Sequence, residues 1–120
     1  MKKNNYYNKI KKARKKADKL FQEIGLYLTP KCECCGRPAT EIHHFIPKSL
    51  STYLRYDLEN GISLCRSCHF AHHSKYDPEI YEKMTANKSP EWFAHIKSKR
   101  QEFVKPTLAW YESKILTLTK

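Results

Sequence analysis

Long apolar runs are missing from this sequence: nothing approaches the roughly 18 residues that a membrane span requires, so no membrane partner is expected. The start, MKKNNYYNKIKKARKK, carries charges with no apolar stretch behind them. It does not read as a signal peptide, and the cytoplasm is the expected compartment. Internal repeats are absent, as is any low-complexity tract beyond that lysine-rich start. Apolar residues make up only 40% of 120, a little below the usual globular share, so the core of what reads as a single domain over 1–120 must be thin.

Acidic residues are also scarce, 12 Asp and Glu against 23 Lys and Arg, and the resulting charge of +11 is concentrated. Lys2, Lys3, Lys9, Lys11, Lys12, Arg14, Lys15, Lys16 and Lys19 face Asp18 as the one acid before position 20. A field of that sign suits a polyanion; a solvated helix face is the plain alternative.

Cysteine is present in an odd number, five. Four of the five form two Cys-x-x-Cys pairs, Cys32/Cys35 and Cys65/Cys68, and Cys34 is left over. In a reducing compartment such pairs favour zinc over disulfides, and four thiolates close a tetrahedral site. Gly36 supports the choice of Cys35, because a zinc knuckle often turns through a residue with positive φ. A structural Zn2+ clamping residues 32–35 to 65–68 would supply folding free energy that a thin core lacks. Redox thiols are the competing reading.

Around this staple the periodicity predicts mostly helix. Ile10, Ala13, Ala17, Leu20, Phe21 and Ile24 recur at steps of three and four, giving an amphipathic helix over 6–26 that Thr29-Pro30 ends. Residues 39–46 read as a strand broken by Pro47, 48–59 as a polar loop, Asn60-Gly61 as a turn, 62–64 as a second strand and 66–75 as a short helix. Asp77-Pro78 and Ser89-Pro90 are helix starts, and Pro106 interrupts, so helices are expected over 78–85, 90–104 and 107–118. Leu108, Tyr111, Ile115 and Leu118 form one apolar stripe; Trp92 or Phe93 with Ile96 and Phe103 form another.

Five of the six histidines fall within 31 positions around the cysteine pairs, as His43-His44 in EIHHFIP and as His69, His72 and His73 in the helix after Cys68. Four cysteines do not need them for zinc, so they are free for chemistry. His69 and His73 are four apart and share a helix face, while His72 is turned away by about 100°. Alternatively, His43 or His69 completes a Cys3His site. His95 reads as a bystander, Glu41 and Asp57 as surface acids, and Tyr53, Arg55 and Lys48 as exposed loop residues able to meet phosphates.

Taken together, Cys32-x-x-Cys35-Gly36, IHHFIP, Asn60 and LCRSCH resemble the HNH, or ββα-metal, endonucleases across roughly residues 31–75. The histidines resemble those of the DNase colicin nuclease domains. The resemblance implies an α+β, mainly helical fold, with a zinc-stapled HNH core over 31–76 between a basic N-terminal helix (1–30) and a C-terminal helical region (77–120). It implies His44 as general base, His43, His69 and His73 as ligands of a catalytic divalent ion, and Asn60 as the residue fixing the loop that holds the base. Cys32, Cys35, Cys65 and Cys68 would bind the structural zinc. Imidazoles without a carboxylate favour Zn2+, Ni2+ or Mn2+ in affinity, although cellular abundance can select Mg2+. KKADKLF, LRYDLEN and TANKSPEWF are in addition similar to the NinG and Rap recombination proteins of lambdoid phages, which have Gly-His where this chain has His43-His44. The function implied is hydrolysis of double-stranded or branched DNA in a phage or mobile-element setting inside a bacterial host, by a monomer or a homodimer. The rival is a noncatalytic zinc-stapled DNA-binding accessory module.

Overall fold

A computed structural model describes residues 2–74 and 76–120, with the side chains of residues 2–4 left out. Its order is α1 (Lys2–Leu28), β1 (Glu41–His44), two single 3-10 turns (Tyr53–Tyr56 and Leu58–Asn60), β2 (Gly61–Leu64), α2 (Arg66–Ser74), α3 (Pro78–Thr85), α4 (Pro90–Lys99) and α5 (Leu108–Leu118). This is the α+β, mainly helical class. Among the described residues no helix is long and apolar enough to cross a membrane.

β1 and β2 are antiparallel, with Glu41 opposite Leu64, Ile42 opposite Ser63, His43 opposite Ile62 and His44 opposite Gly61. Successive residues in a strand face opposite ways, so this short ribbon divides the molecule. On one face Ile42 joins Ala17 and Phe21 of α1, Tyr56, and Tyr111 and Leu118 of α5 in one apolar cluster. On the other, Ile62 and Leu64 pack with Ile46, Leu54, Ile80 and Met84 of α3, and Trp92 and Ile96 of α4. Glu41 and His43 point to this second side, toward α2, while Ile42 and His44 point to α1. Gly61 is not a turn residue as the Asn60-Gly61 pair suggests. It is extended at φ −94°, and a Cβ there would come within 2.7 Å of Ile42 and 3.2 Å of Phe21, so it is glycine because helix and strand meet over it.

Several element limits depart from the sequence expectation for identifiable reasons. The strand expected over 39–46 pairs only at 41–44: Phe45 N–H still reaches the Asn60 carbonyl in register, but Asn60 N–H turns away to the Asp57 carbonyl in the 3-10 turn, so the return bond is lost and the ladder ends. The loop 48–59 contains two 3-10 turns, one of which buries Leu54 and Tyr56. α4 stops at Lys99, five residues short of 104: its buried stripe of Trp92 and Ile96 meets Arg100 at the next position, so burial no longer supports the helix. Phe103 consequently lies outside the stripe, 89% exposed. The last residue of the helix expected over 66–75, Lys75, and the side chains of Lys2 and Lys3 lie outside the described residues. The three C-terminal helices are capped: Asp77, Ser89 and Thr107 accept hydrogen bonds from Glu79, Trp92 and Trp110 N–H respectively, each worth about 1 kcal/mol.

Candidate active site

The cysteine staple is built from two backbone turns. Cys32 N–H donates to Arg37 O and Gly36 N–H to Cys32 O, at 2.7 and 2.9 Å, closing a knuckle through Gly36 at φ +78°. The second pair lies where β2 turns into α2. The ligand sulfurs of Cys32, Cys35, Cys65 and Cys68 lie within 4.8 Å of one another, with Cys35 and Cys65 3.6 Å apart. The edge of a tetrahedron with Zn–S bonds of about 2.3 Å is about 3.8 Å, so the four are positioned to bind a metal ion. Burial opposes ionisation of Cys32, yet backbone donors of Cys65, Cys35 and Cys34 bring its thiol down to about 6. Burial and the surrounding thiols push Cys68 up, so its thiolate needs a cation beside it. Cys34 stands apart: burial and the charge of Cys32 push it to about 11, and its thiol points to Ile80 O.

The second cluster is made of imidazoles. Strand alternation turns His43 toward α2, where the four-residue spacing of His69 and His73 brings both to it; one ligand atom from each lies within 4.8 Å of the others. His43 Nδ1 and His73 Nε2 are 3.1 Å apart, a separation two ligands of one ion would have. Burial first, then the neighbouring histidines, hold His43 down to about 3, so it is a neutral lone-pair donor. His69 Nδ1 lies 2.7 Å from Glu41 Oε1. A carboxylate accepts, so Nδ1 carries the proton and Nε2 keeps the lone pair, the arrangement by which outer carboxylates orient metal-binding histidines. Of the two candidates for the last position, His73 joins the cluster. His72 packs edge-on to His43, with centroids 4.9 Å apart.

His44 faces the other way. Its Nε2 is 2.9 Å from the Arg55 carbonyl, which can only accept, so Nε2 bears the proton and Nδ1 the lone pair. Phe21 of α1 stacks on the ring at 4.8 Å and 17°. Burial foremost, with the charges of Lys48 and Arg55, lowers its pKa from the usual 6.5. His43, His44, His69, His73, Glu41 and Lys48 line one cleft of about 350 Å3.

Asn60 is fully buried and ties three strands of chain together. Its Oδ1 accepts from Ile46 N–H at 2.8 Å, and its Nδ2 donates to Ile46 O and Leu54 O at 3.0 and 3.2 Å. The loop after His44 is thereby pinned at both ends.

Sequence reasoning missed three residues here. Glu41 reads as surface, yet it sits two positions before His43 on the same strand face, a signal that was available. Gln22 acts as a strand partner from α1, its amide meeting Ile42 N–H and O at 2.7 and 2.9 Å. Asp18 grips Arg55 and Tyr56, so Arg55 is not the exposed phosphate contact its loop position suggests. His95 and Asp57 pair with each other at 2.6 Å, away from both clusters.

Residues 32–75 match the family model of HNH endonucleases. The match takes in both cysteine pairs, β1, β2 and nearly all the histidines, and leaves α1, α3, α4 and α5 outside. No curated protein matches the chain, and no solved structure does.

Proposed function

We propose that the chain, through the segment matched to HNH endonucleases, is a metal-dependent endonuclease that hydrolyses DNA phosphodiester bonds with His44 as general base. The observation that carries this reading is the tautomer of His44: Nε2 is committed to the Arg55 carbonyl, so a free Nδ1 lone pair is offered on a ring lining the same cleft as the three clustered histidines. Water gives its proton to His44 as its oxygen bonds to phosphorus, the bond from phosphorus to the 3′ oxygen breaks, and the departing 3′ oxygen takes a proton from solvent water, leaving 5′-phosphate and 3′-hydroxyl ends. His43, His69 and His73 would hold one divalent ion, Mg2+, Mn2+, Ni2+ or Zn2+, whose positive charge would stabilise the phosphate and the departing oxygen.

The remaining residues position and bind. Glu41 orients His69, Asn60 fixes the loop that presents His44, and the four cysteines hold a structural Zn2+. Lysines of α1 hold the backbone of double-stranded or branched DNA without reading sequence. The phage recombination setting and a homodimer that could cut both strands belong to the same proposal.

The test is cleavage of supercoiled plasmid and of a labelled single strand by wild type and His44→Ala, with Mg2+, Mn2+, Ni2+ or EDTA present. Metal-dependent nicking that the folded, zinc-loaded variant lacks is the expected result. Absence of cleavage by wild type, with tight salt-sensitive binding, would replace the nuclease by a noncatalytic DNA-binding module.

A further inference from the structure

His43 is a wall between two cavities. On its far side from His44 lies a second crevice of about 260 Å3, floored by Ile46 and Met84 and walled by Phe45 and Tyr81. Met84 is 2% exposed and Tyr81 48%, so the floor is dry and the wall open. The two aromatic rings lie 5.9 Å apart at 30°, and Trp92 supports Phe45 edge-on at 4.9 Å, which holds the wall in place from behind.

The rim carries polar side chains. His72 and Arg100 stand at the opening. Among the described residues the Arg100 guanidinium, the His72 ring nitrogens and the Tyr81 hydroxyl make no hydrogen bond or ion pair, although the His72 ring packs edge-on to His43 and His73. Arg55, by contrast, is fully engaged by Asp18. An apolar floor with a few convergent, uncommitted polar groups is the usual make-up of a small-ligand pocket. Its volume accommodates a single planar heterocycle, an aromatic wall stacks on the π-face of any base, and a guanidinium suits a base edge or phosphate.

Location decides which heterocycle. His43 lines both this crevice and the cleft in which the scissile phosphate is proposed to sit, so the two adjoin. We infer that the crevice receives the nucleobase adjacent to the cleaved phosphate, turned out of its stack onto Tyr81 and Phe45, with Arg100 and His72 on its edge or phosphate. This rests on the nuclease reading and deepens it: the substrate is a nucleic acid whose base beside the cut is unpaired or readily unpaired, because an intact duplex must give up stacking and pairing to fill the pocket.

The test uses the full-length, zinc-loaded protein with His44→Ala to prevent cleavage, titrated into single-stranded oligonucleotides that carry the fluorescent base analogue aminopurine at successive positions. Fluorescence should be quenched at one position or two, and Tyr81→Ala should remove that quenching and weaken binding about ten-fold, whereas Tyr81→Phe keeps both. Unchanged zinc content and helical circular dichroism establish that each variant is folded. Uniform fluorescence at every position, or Tyr81→Ala behaving as its parent, overturns the pocket. Because this readout is binding, it separates the two ideas: quenching without plasmid cleavage by wild type would sink the nuclease and spare the pocket, and cleavage without quenching would do the reverse. With active enzyme, an abasic site next to the cut should slow cleavage about ten-fold, and equal cleavage of abasic and intact strands would again count against the inference.

Discussion

Asp18 clamps Arg55 with both carboxylate oxygens, Nε to Oδ1 at 3.0 Å and Nη2 to Oδ2 at 2.8 Å, and the carbonyl of that same Arg55 accepts from His44 Nε2. Tyr56 adds its hydroxyl to Asp18 Oδ1 at 2.7 Å. The helix outside the family-matched segment therefore reaches the proposed base through one ion pair and one backbone carbonyl. Its Phe21, three residues on, stacks on the imidazole.

Asp18→Asn should therefore do more than loosen the fold. The ion pair is only partly sheltered, with side-chain exposures of 17% for Arg55 and 37% for Asp18, so its loss should cost about 1–2 kcal/mol. If the carbonyl then drifts, His44 loses its fixed tautomer, and kcat should fall about ten-fold with KM unchanged. Steady-state cleavage of a short labelled DNA, set beside urea unfolding of the same variant, checks both; a change in KM alone would mean that α1 merely binds substrate.

Activity should depend on pH through His44. Burial lowers its pKa below 6.5, and the nearby positive charges of Lys48 and Arg55 act in the same direction. The base is the neutral ring, so the rate should be flat near neutrality and fall only as acid protonates Nδ1, at a pH below that of an unperturbed histidine. A pH–rate profile measured well into the acid range, with folding monitored in parallel, tests this. A fall beginning above 7 would contradict the sheltered ring seen here.

Much of this site was legible because it is local. The cysteine spacings, the alternation that parts His43 from His44, and the four-residue step from His69 to His73 are each set by one element's geometry. The caps at Asp77 and Ser89 belong to the same class. What escaped the sequence depends on contacts between elements far apart in the chain. Asp18 and Arg55 are 37 positions apart, and nothing in a lysine-rich helix says that its single early acid turns inward. Gln22 meets Ile42 from 20 positions away by filling a strand edge with a side chain, a role with no periodic signature. The early end of α4 was hidden because Pro106 is an obvious stop, whereas the actual cause is that the buried stripe gives out at Arg100.

The two metal centres should separate under chelation. His69 is half-buried and His73 exposed, so the histidine cluster opens to solvent although His43 is buried, while the cysteine pairs join segments that pack on Ile62 and Leu64. Mild chelation should abolish cleavage and leave helical circular dichroism intact. Cys65→Ser should lose zinc and unfold the middle of the chain, since ligands assembled only in the folded state couple binding to folding. His73→Ala should keep its zinc and its helix content while losing activity by about a hundredfold or more. Loss of zinc in His73→Ala, read by atomic absorption, would show that the division into two sites is mistaken.

The outward face of α1 should set the salt dependence of DNA binding. Lys9, Lys11, Lys12, Lys15, Lys16 and Lys19 are all exposed, and the neighbouring carboxylate of Asp18 is already spent on Arg55 and Tyr56, so it offsets little of their field. Each lysine that meets a phosphate releases counterions, and log K should fall against log salt with a slope of about 0.9 per contact on duplex and about 0.7 on a single strand. Replacing Lys11, Lys12, Lys15 and Lys16 by alanine should weaken binding at low salt and flatten the slope by about two to four units. The same variant should unfold like wild type, because these side chains lie away from the Ala17 and Phe21 stripe that packs on α5. Fluorescence anisotropy across a salt series measures the slope directly, and an unchanged slope would move the nucleic-acid surface off α1 and onto the lysines of α4 and α5.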